Sequence, residues 1–397
     1  MSRFVRPVTA LGTLAGVLAA MLWLTYGRAP LSRFAGEKLS RASAFIAERE
    51  LLRVAAQERP KLLAAASRAL EERRSEDLRQ PRGLLLGAHD GDLPDDIAGL
   101  LALERAIARP LVLVQIYSAW GDASQHAFPA RAVAAIWAAG SVPMVTWEPW
   151  LGAFTTVSHP HLRAPAERER QGLADVAAGH YDFYVDRWAR AAARFAKPLF
   201  LRFAHEMNDG YRYPWGPRNN PQPAHFVAAW RHVVSRFRAA GALNVLWVWA
   251  PSISYRGYAE RYPGPDVVDW VGTGVLNYGT AARWSLWQSF DQLLGEHYAP
   301  LAGYGKPLMI AELGSVEFGG DRAEWYERAL ADLPVRYPAV KAAVFFHVAS
   351  DRTVTGELLR WSFATDPPVV AAVKRGLESW TAAGARTLDR SWKDSNE

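Results

Sequence analysis

The chain has 397 residues, of which half are hydrophobic and 22% are charged, so it can form a large core and is not expected to be disordered. Its net charge of +6 is concentrated at one end: residues 1–82 contain 15 Lys and Arg against 8 Asp and Glu, and the rest contain 31 against 32. The near-neutral larger part disfavours nucleic acid or another polyphosphate as a ligand. The absence of cysteine excludes disulfides, thiolate metal sites and a cysteine nucleophile.

Residues 1–28 are predicted to be a membrane anchor. An uncharged apolar stretch over residues 7–27 follows two arginines and is long enough to span a bilayer as a helix. A cleavable signal peptide begins in the same way. Trp23 and Tyr26 suit a membrane interface better than a cleavage site, so the anchor is preferred, with signal cleavage and secretion as the alternative.

Residues 29–81 are predicted to form a helical linker or stalk, because they are rich in Ala, Leu, Arg and Glu and contain a break at Pro60. Their apolar residues sustain no heptad repeat. A spacer, or a helix packed on the following domain, is therefore favoured over a coiled-coil partner site.

From residue 82 onward, short apolar runs alternate with amphipathic helical stretches, which is typical of parallel βα units. The predicted strands are Leu84–His89, Leu111–Ser118, Val142–Trp147, Leu199–Ala204, Val245–Trp249, Val267–Leu276, Leu308–Ala311 and Ala342–His347. The predicted helices are Ile97–Ala108, Ala130–Ala139, Tyr181–Ala196, His225–Ala240, Trp287–Tyr298, Arg322–Leu333 and a last one from Pro368. Eight such units predict a (β/α)8 TIM barrel over residues 82–380, followed by a polar tail over residues 381–397. An open doubly wound sheet is the alternative, although no G-x-G-x-x-G loop follows the first strand.

The active site of such a barrel lies at the carboxyl ends of its strands. Here those ends carry aromatic residues, carboxylates and histidines, which is a lining typical of a carbohydrate site. The residues are His89, Asp90, Tyr117, Ser118, Trp120, Trp147, Glu148, Trp150, His205, Glu206, Trp249, Asn277, Tyr278, Glu312 and His347. Most of the 17 tryptophans are nevertheless expected to fill the core.

Two glutamates, Glu206 and Glu312, follow the fourth and seventh predicted strands. Glycoside hydrolysis needs one carboxyl group to protonate the leaving oxygen and a second on the other face of the sugar ring. Glutamates at these two strand ends lie across the barrel mouth and can reach a shared cleft. A purely structural role, such as helix capping or pairing with Arg202, is the alternative for each.

Two segments around these glutamates are specific. Residues 202–216 read Arg-Phe-Ala-His-Glu-Met-Asn-Asp-Gly-Tyr-Arg-Tyr-Pro-Trp-Gly, and residues 310–315 read Ile-Ala-Glu-Leu-Gly-Ser. Together they resemble glycoside hydrolase family 26, which is best known for β-mannanases and belongs to the clan whose acid/base and nucleophile end strands four and seven. The resemblance covers most of residues 82–375 and includes residues 262–272, before the sixth strand.

The resemblance implies that Glu206 is the acid/base and Glu312 the nucleophile of a retaining double displacement that needs no metal or cofactor. It also implies that Tyr278 hydrogen-bonds Glu312. Three more residues are implied to contact the sugar. His205 lies beside the acid/base, Trp215 would stack near the cleaved bond, and Trp361 would form an aromatic floor after strand eight.

The strand ends add further candidates for substrate binding. Arg202 is expected to face inward and help to keep Glu312 charged. The end of strand three adds Trp147, Glu148 and Trp150. Glu148 stands where mannanases of the family often place a histidine toward the sugar, so mixed-linkage β-glucan becomes an alternative to mannan. A structural carboxylate is the other interpretation of Glu148.

Three other motifs that would indicate a different class of enzyme or a metal site are incomplete or absent. His205-Glu206 is not a metalloprotease motif, because Asp209 stands where H-E-x-x-H requires histidine. His159 and His161 form a loop pair without the further ligands that a metal site needs. No G-x-S-x-G elbow of a serine hydrolase occurs.

The sequence therefore predicts a retaining endo-hydrolase of β-1,4-linked polysaccharide, with mannan first and mixed-linkage glucan second. Because such a substrate is external, the catalytic domain is placed in the periplasm or at the cell surface, although basic residues flank both sides of the anchor. A tethered enzyme that processes an exopolysaccharide beside its synthesis or export machinery is a further hypothesis. A non-catalytic glycan-binding protein is the third.

Overall fold

A computed structural model describes residues 75–81, 83–93 and 96–393, with side chains up to residue 380. Its principal strands are β1 Leu85–Asp90, β2 Leu113–Ala119, β3 Val142–Glu148, β4 Leu199–Phe203, β5 Val245–Trp249, β6 Trp270–Asn277, β7 Leu308–Ser315 and β8 Val340–His347. All eight are parallel and close into a barrel in chain order, with β8 paired to β1. The predicted (β/α)8 barrel is therefore confirmed, and the open sheet is excluded.

The helices surround this barrel, and a short hairpin follows β8. The helices are α1 Ser75–Arg79, α2 Ala98–Ile107, α3 Ala130–Ala138, α4 Gly172–Ala177, α5 Asp182–Phe195, α6 Pro223–Ala239, α7 Phe290–Ala302, α8 Arg322–Arg336 and α9 Pro367–Lys393. The hairpin pairs β9 Asp351–Arg352 with β10 Leu358–Leu359. Helix α4 was not predicted, and α9 continues into the predicted polar tail.

The start of α7 shows how a local signal sets a boundary. The helix was predicted from Trp287 but begins at Phe290, because Ser289 caps it. The Ser289 hydroxyl accepts the backbone N–H of Gln292 at 3.2 Å, and the Gln292 side chain accepts the Ser289 N–H at 2.8 Å. This reciprocal capping box satisfies two donors that the first helical turn would otherwise leave free.

The core has two layers, because strand residues alternate between the barrel interior and the surrounding helices. On β3, Val142 and Met144 point into the barrel. Val145 and Trp147 point outward and pack under the helices. The residues at the strand ends follow the same alternation, so only every second one can face the cleft.

The amino-terminal end of the barrel is closed by α1. Leu78 is buried there, and its carbonyl accepts the indole N–H of Trp270 at 2.8 Å. Arg79 forms an ion pair with Asp269 at 2.9 Å. The last turn of the predicted stalk is thus helical and packed on the barrel, and the open end for a ligand is the carboxyl end.

The predicted anchor and residues 29–74 of the predicted linker lie outside the described residues. Among the residues that the structure does describe, no helix is both long and apolar enough to cross a membrane.

Candidate active site

Glu206 stands in a constrained loop immediately after β4. Both Ala204 and Glu206 have left-handed backbone conformations, with φ of 45° and 51°, which cost residues other than glycine free energy. The Glu206 N–H donates to the carbonyl of Ala250, after β5, at 2.7 Å. The strained turn is therefore held from the neighbouring strand, and it keeps Glu206 at the barrel mouth.

Glu312 lies inside β7, because the strand extends beyond its predicted end at Ala311. Its register slips against both neighbours: Ile310 pairs with Thr273 and Glu312 with the next residue, Gly274, and the pairing with β8 is interrupted between Ile310 and Leu313. Ala311 belongs to the barrel interior, so a regular strand would turn Glu312 outward. The bulge re-aims its side chain toward the cleft.

Gly274 lies beside both carboxyl groups. A β-carbon at this position would lie 3.8 Å from Glu206 Oε1 and 3.9 Å from Glu312 Oε2. Both oxygens therefore face the same small space beside β6. A glycine keeps that space free for a ligand.

Two side chains hold the Glu312 carboxylate through a single oxygen. Arg202 Nη2 lies 2.5 Å from Oε1, and the Tyr117 hydroxyl donates to Oε1 at 2.7 Å. Burial alone would raise the pKa of Glu312, but the Arg202 charge and these two hydrogen bonds outweigh it and lower the pKa to about 2. Glu312 is therefore ionised, as expected of a nucleophile, and its Oε2 is left toward the cleft.

Glu206 has the opposite environment. Burial, followed by the negative charge of Glu312, raises its pKa to about 7. In the described part of the chain, no side chain donates a hydrogen bond to its carboxyl group that would offset these effects. Two adjacent carboxyl groups with pKa values pushed apart are what acid/base and nucleophile roles require.

The tyrosine that holds Glu312 is Tyr117, rather than Tyr278 as the resemblance implied. Tyr117 alternates inward on β2 and also lies 3.2 Å from Arg202 Nη2. Tyr278 instead packs edge-on against Trp361, with ring centroids 5.1 Å apart. It remains beside the cleft, but its hydroxyl is not the one that orients the Glu312 carboxylate.

His205 is buried beneath the cleft and is positioned by the loop after β4. Its Nε2 lies 2.9 Å from the Tyr213 hydroxyl, and its carbonyl accepts the indole N–H of Trp215 at 2.7 Å. Burial, and then the charge of Arg202, hold the pKa of His205 well below its usual range. The ring is therefore neutral.

Three predicted sugar contacts are corrected by burial. Trp147 is completely buried, because alternation turns it to the helix layer, where its ring packs against Trp188. Trp215 is only 2% exposed and stacks under Tyr213, with centroids 4.6 Å apart, so it supports the cleft from below. Trp361 is also completely buried, with Tyr278 above it.

Glu148 and Trp150 do lie at the cleft together. The Trp150 indole N–H donates to Glu148 Oε2 at 3.1 Å. Burial, opposed by this bond and by the charge of Arg202, raises the pKa of Glu148. Glu148 is thus a third carboxyl group of the cleft rather than a partner in a structural ion pair.

Other residues of the site were not assigned from the sequence. The sequence places Tyr117 at a strand end, and the alternation along β2 indicates that its side chain faces inward. Asn208 donates to the carbonyls of Ser252 and Tyr255 at 2.7 and 2.8 Å, and so fastens the loop after β5. His89 Nδ1 lies 3.0 Å from the carbonyl of Gln115, and its ring lies 4.7 Å from that of Tyr117.

Fold and site together define a (β/α)8 barrel of the glycoside hydrolase type, with one carboxyl group just after strand four and the other on strand seven. The sequence model of glycosyl hydrolase family 26 matches residues 181–296. Endoglucanase H of Acetivibrio thermocellus is 32% identical over 304 residues, which cover 74% of this chain and 30% of that protein. A β-1,3-xylanase of a Vibrio species is 37% identical over 106 residues, which cover 25% of this chain and 21% of that protein. The chain belongs to glycosyl hydrolase family 26.

Solved structures have the same fold. A mannanase of Bacillus subtilis is 16% identical, with a TM-score of 0.54 over 75% of this chain and 86% of its own. A family 26 β-mannanase of Bacteroides ovatus is 17% identical, with a TM-score of 0.52 over 78% of this chain and 92% of its own. The chain spans less than a third of the length of the two relatives named above.

Proposed function

We propose that this chain is a retaining endo-β-glycanase in which Glu206 is the acid/base and Glu312 the nucleophile. The observation that carries the proposal is the pair of adjacent carboxyl groups with opposed pKa values, about 7 for Glu206 and about 2 for Glu312. A protonated acid and an ionised nucleophile at one pH are what the first step of a double displacement needs.

In that step, Glu312 Oε2 attacks the anomeric carbon while Glu206 gives its proton to the departing glycosidic oxygen. Oε2 is the free oxygen, since Arg202 and Tyr117 both hold Oε1. Ester formation removes the charge of Glu312, which had raised the pKa of Glu206. Glu206, now ionised, then acts as the base for the water that releases the sugar with retained configuration.

The direct test is substitution of each glutamate. Glu206→Ala and Glu312→Ala should each remove most hydrolysis and leave the fold intact, as judged by circular dichroism. Glu327→Ala is a matched control, because this glutamate pairs with Arg375 on the helical surface. Near-normal turnover in either active-site variant would contradict the assignment. Proton NMR should also show the β anomer as the first product, and an initial α anomer would exclude retention.

For the sugar of the polysaccharide backbone, we propose glucan before mannan. Mannan was the first candidate from the sequence, and mixed-linkage β-glucan the second. Glu148 at the cleft and the likeness to a protein named Endoglucanase H both favour placing glucan first. The fold neighbours named as mannanases are only 16–17% identical and do not bear on the sugar. A panel of β-mannan, mixed-linkage β-glucan and β-1,3-xylan should give cleavage of the glucan above the others, and preferred cleavage of mannan would reverse this order.

We also propose that residues 1–28 tether the enzyme, with its barrel outside the cytoplasm, to process an exopolysaccharide near its synthesis or export machinery. The support is the apolar stretch over residues 7–27 with Trp23 and Tyr26 at its end. Membrane fractionation of cells that express the full chain should recover it in the membrane pellet. In a separate assay, protease added to the outer side of the membrane should degrade the barrel. Recovery in the medium would favour signal cleavage instead. A non-catalytic glycan-binding role would be favoured by glycan binding without any product.

A further inference from the structure

A partly exposed tryptophan stands next to the cleft. Trp284 lies in the loop between β6 and α7 and leaves 52% of its surface open to solvent. Seven other tryptophans are completely buried. Core packing therefore explains those residues but not this one.

The Trp284 ring is held in place although it is exposed. Its indole N–H donates to the Thr355 hydroxyl at 2.9 Å, and that hydroxyl donates to Glu357 Oε2 at 2.5 Å. Thr355 and Glu357 belong to the β9–β10 hairpin after β8. Two loops from different strands therefore fix the orientation of one open aromatic ring.

The loop that carries Trp284 is itself ordered. The Ser285 hydroxyl accepts the N–H of Ala282 and donates to its carbonyl, both at 3.1 Å. At the base of the loop, the Asn277 side chain accepts the N–H of Gly279 at 3.1 Å and that of Gln288 at 3.3 Å. These hydrogen bonds within the loop fix its backbone, so the Trp284 ring is carried by an ordered segment.

Trp284 continues the aromatic lining outward from the carboxylates. Its ring centroid lies 5.3 Å from that of Tyr278, which in turn packs on Trp361. Tyr278 is next to the catalytic pair: after burial, the charges of Glu206 and Glu312 contribute to raising its pKa. Trp284, whose ring is the more exposed of the two, is therefore the next aromatic ring along this lining.

We propose that Trp284 is a stacking platform for the sugar ring next to the one that is attacked. This inference rests on the proposed β-glycanase function and adds where the chain of sugars runs, which is over the loops after β6 and β8. The apolar C–H face of a β-linked pyranose would cover the flat indole and remove apolar surface from water. Because Thr355 already orients the ring, little further ordering is needed on binding.

The test compares hexasaccharide kinetics of the full chain and four variants, with β-1,4-mannohexaose and a mixed-linkage β-glucan hexasaccharide as probes. Trp284→Ala should raise KM about tenfold and change kcat by less than about twofold, because the platform lies away from the reacting atoms. Trp284→Phe, which keeps a flat ring without the N–H, and Thr355→Val, which removes the acceptor, should show smaller increases. Leu286→Ala is the matched control on the same loop, where Leu286 is 74% exposed.

Binding provides a second readout. In the Glu312→Gln background, calorimetric titration of the same hexasaccharide should give a Kd about tenfold weaker when Trp284 is also replaced by Ala. Unchanged KM and Kd in Trp284→Ala would overturn the platform and leave the glycanase assignment intact. A fall in kcat as large as the expected rise in KM, together with a lowered Tm, would show that Trp284 has a structural role. That result would also overturn the proposed platform. If the unaltered chain neither cleaves nor binds any β-glycan, the proposed function itself fails.

Discussion

The raised pKa of Glu206 implies that this residue destabilises the protein at neutral and alkaline pH. The folded state binds its proton more tightly than the unfolded state does, with pKa values of about 7 and 4.5. The penalty is therefore absent below the unfolded pKa, grows between the two values and is complete above about pH 7. At 1.36 kcal/mol for each pKa unit, it reaches roughly 3 kcal/mol.

Glu206→Gln keeps the shape of the side chain and removes the charge. We therefore expect the variant to be more stable than the unaltered protein by roughly 3 kcal/mol at pH 8 and by little at pH 4.5. The measured gain should lie at or below that figure, because the carboxyl group keeps some exposure to the cleft.

The assay is urea-induced unfolding of both proteins, followed by tryptophan fluorescence at a series of pH values. Glu327→Gln serves as the control, because its carboxylate is paired at the surface and its pKa is lowered by Arg375. A stability gain that is the same at pH 4.5 and pH 8 would refute the reasoning, as would a loss at pH 8. Either result would mean that the folded protein does not raise the pKa of the Glu206 carboxyl group.

Three other substitutions test the surroundings of the pair. Tyr117→Phe removes a hydrogen bond that lowers the pKa of Glu312, so the acidic limb of kcat/KM should move up by about one to two pH units, and an unmoved limb would contradict this. Arg202→Met leaves the Glu312 charge buried and unpaired, so urea unfolding should show a loss of about 3–5 kcal/mol at pH 7, and a neutral effect would show that the pair is not coupled as described. Gly274→Ala places a methyl group in the space that both carboxyl groups face, so kcat/KM should fall about tenfold with Tm almost unchanged; full activity would mean that this space does not receive the substrate.

The barrel could be predicted from the chain because its signals are local. Each βα unit combines an apolar run with an amphipathic helix, and all eight predicted strands overlap the observed ones. The meeting of Glu206 and Glu312 at one site was predictable for a related reason, since strand order alone brings the ends of β4 and β7 to one rim. The alternation along β3 is also local, and it places Trp147 on the side of the strand that faces the helices.

What the tertiary structure alone decided is the physical cause of the different acidities of the two carboxyl groups. Glu206 and Glu312 are both glutamates, and nothing in their type distinguishes an acid from a nucleophile. Arg202 is 110 residues from Glu312 in sequence, and Tyr117 is 195 residues away. Only the closed barrel brings these donors to one oxygen, and only the bulge in β7 turns that carboxylate inward. Burial and fixed charge, which separate the two pKa values, are properties of the assembled fold, so they do not follow from the motif that located the pair.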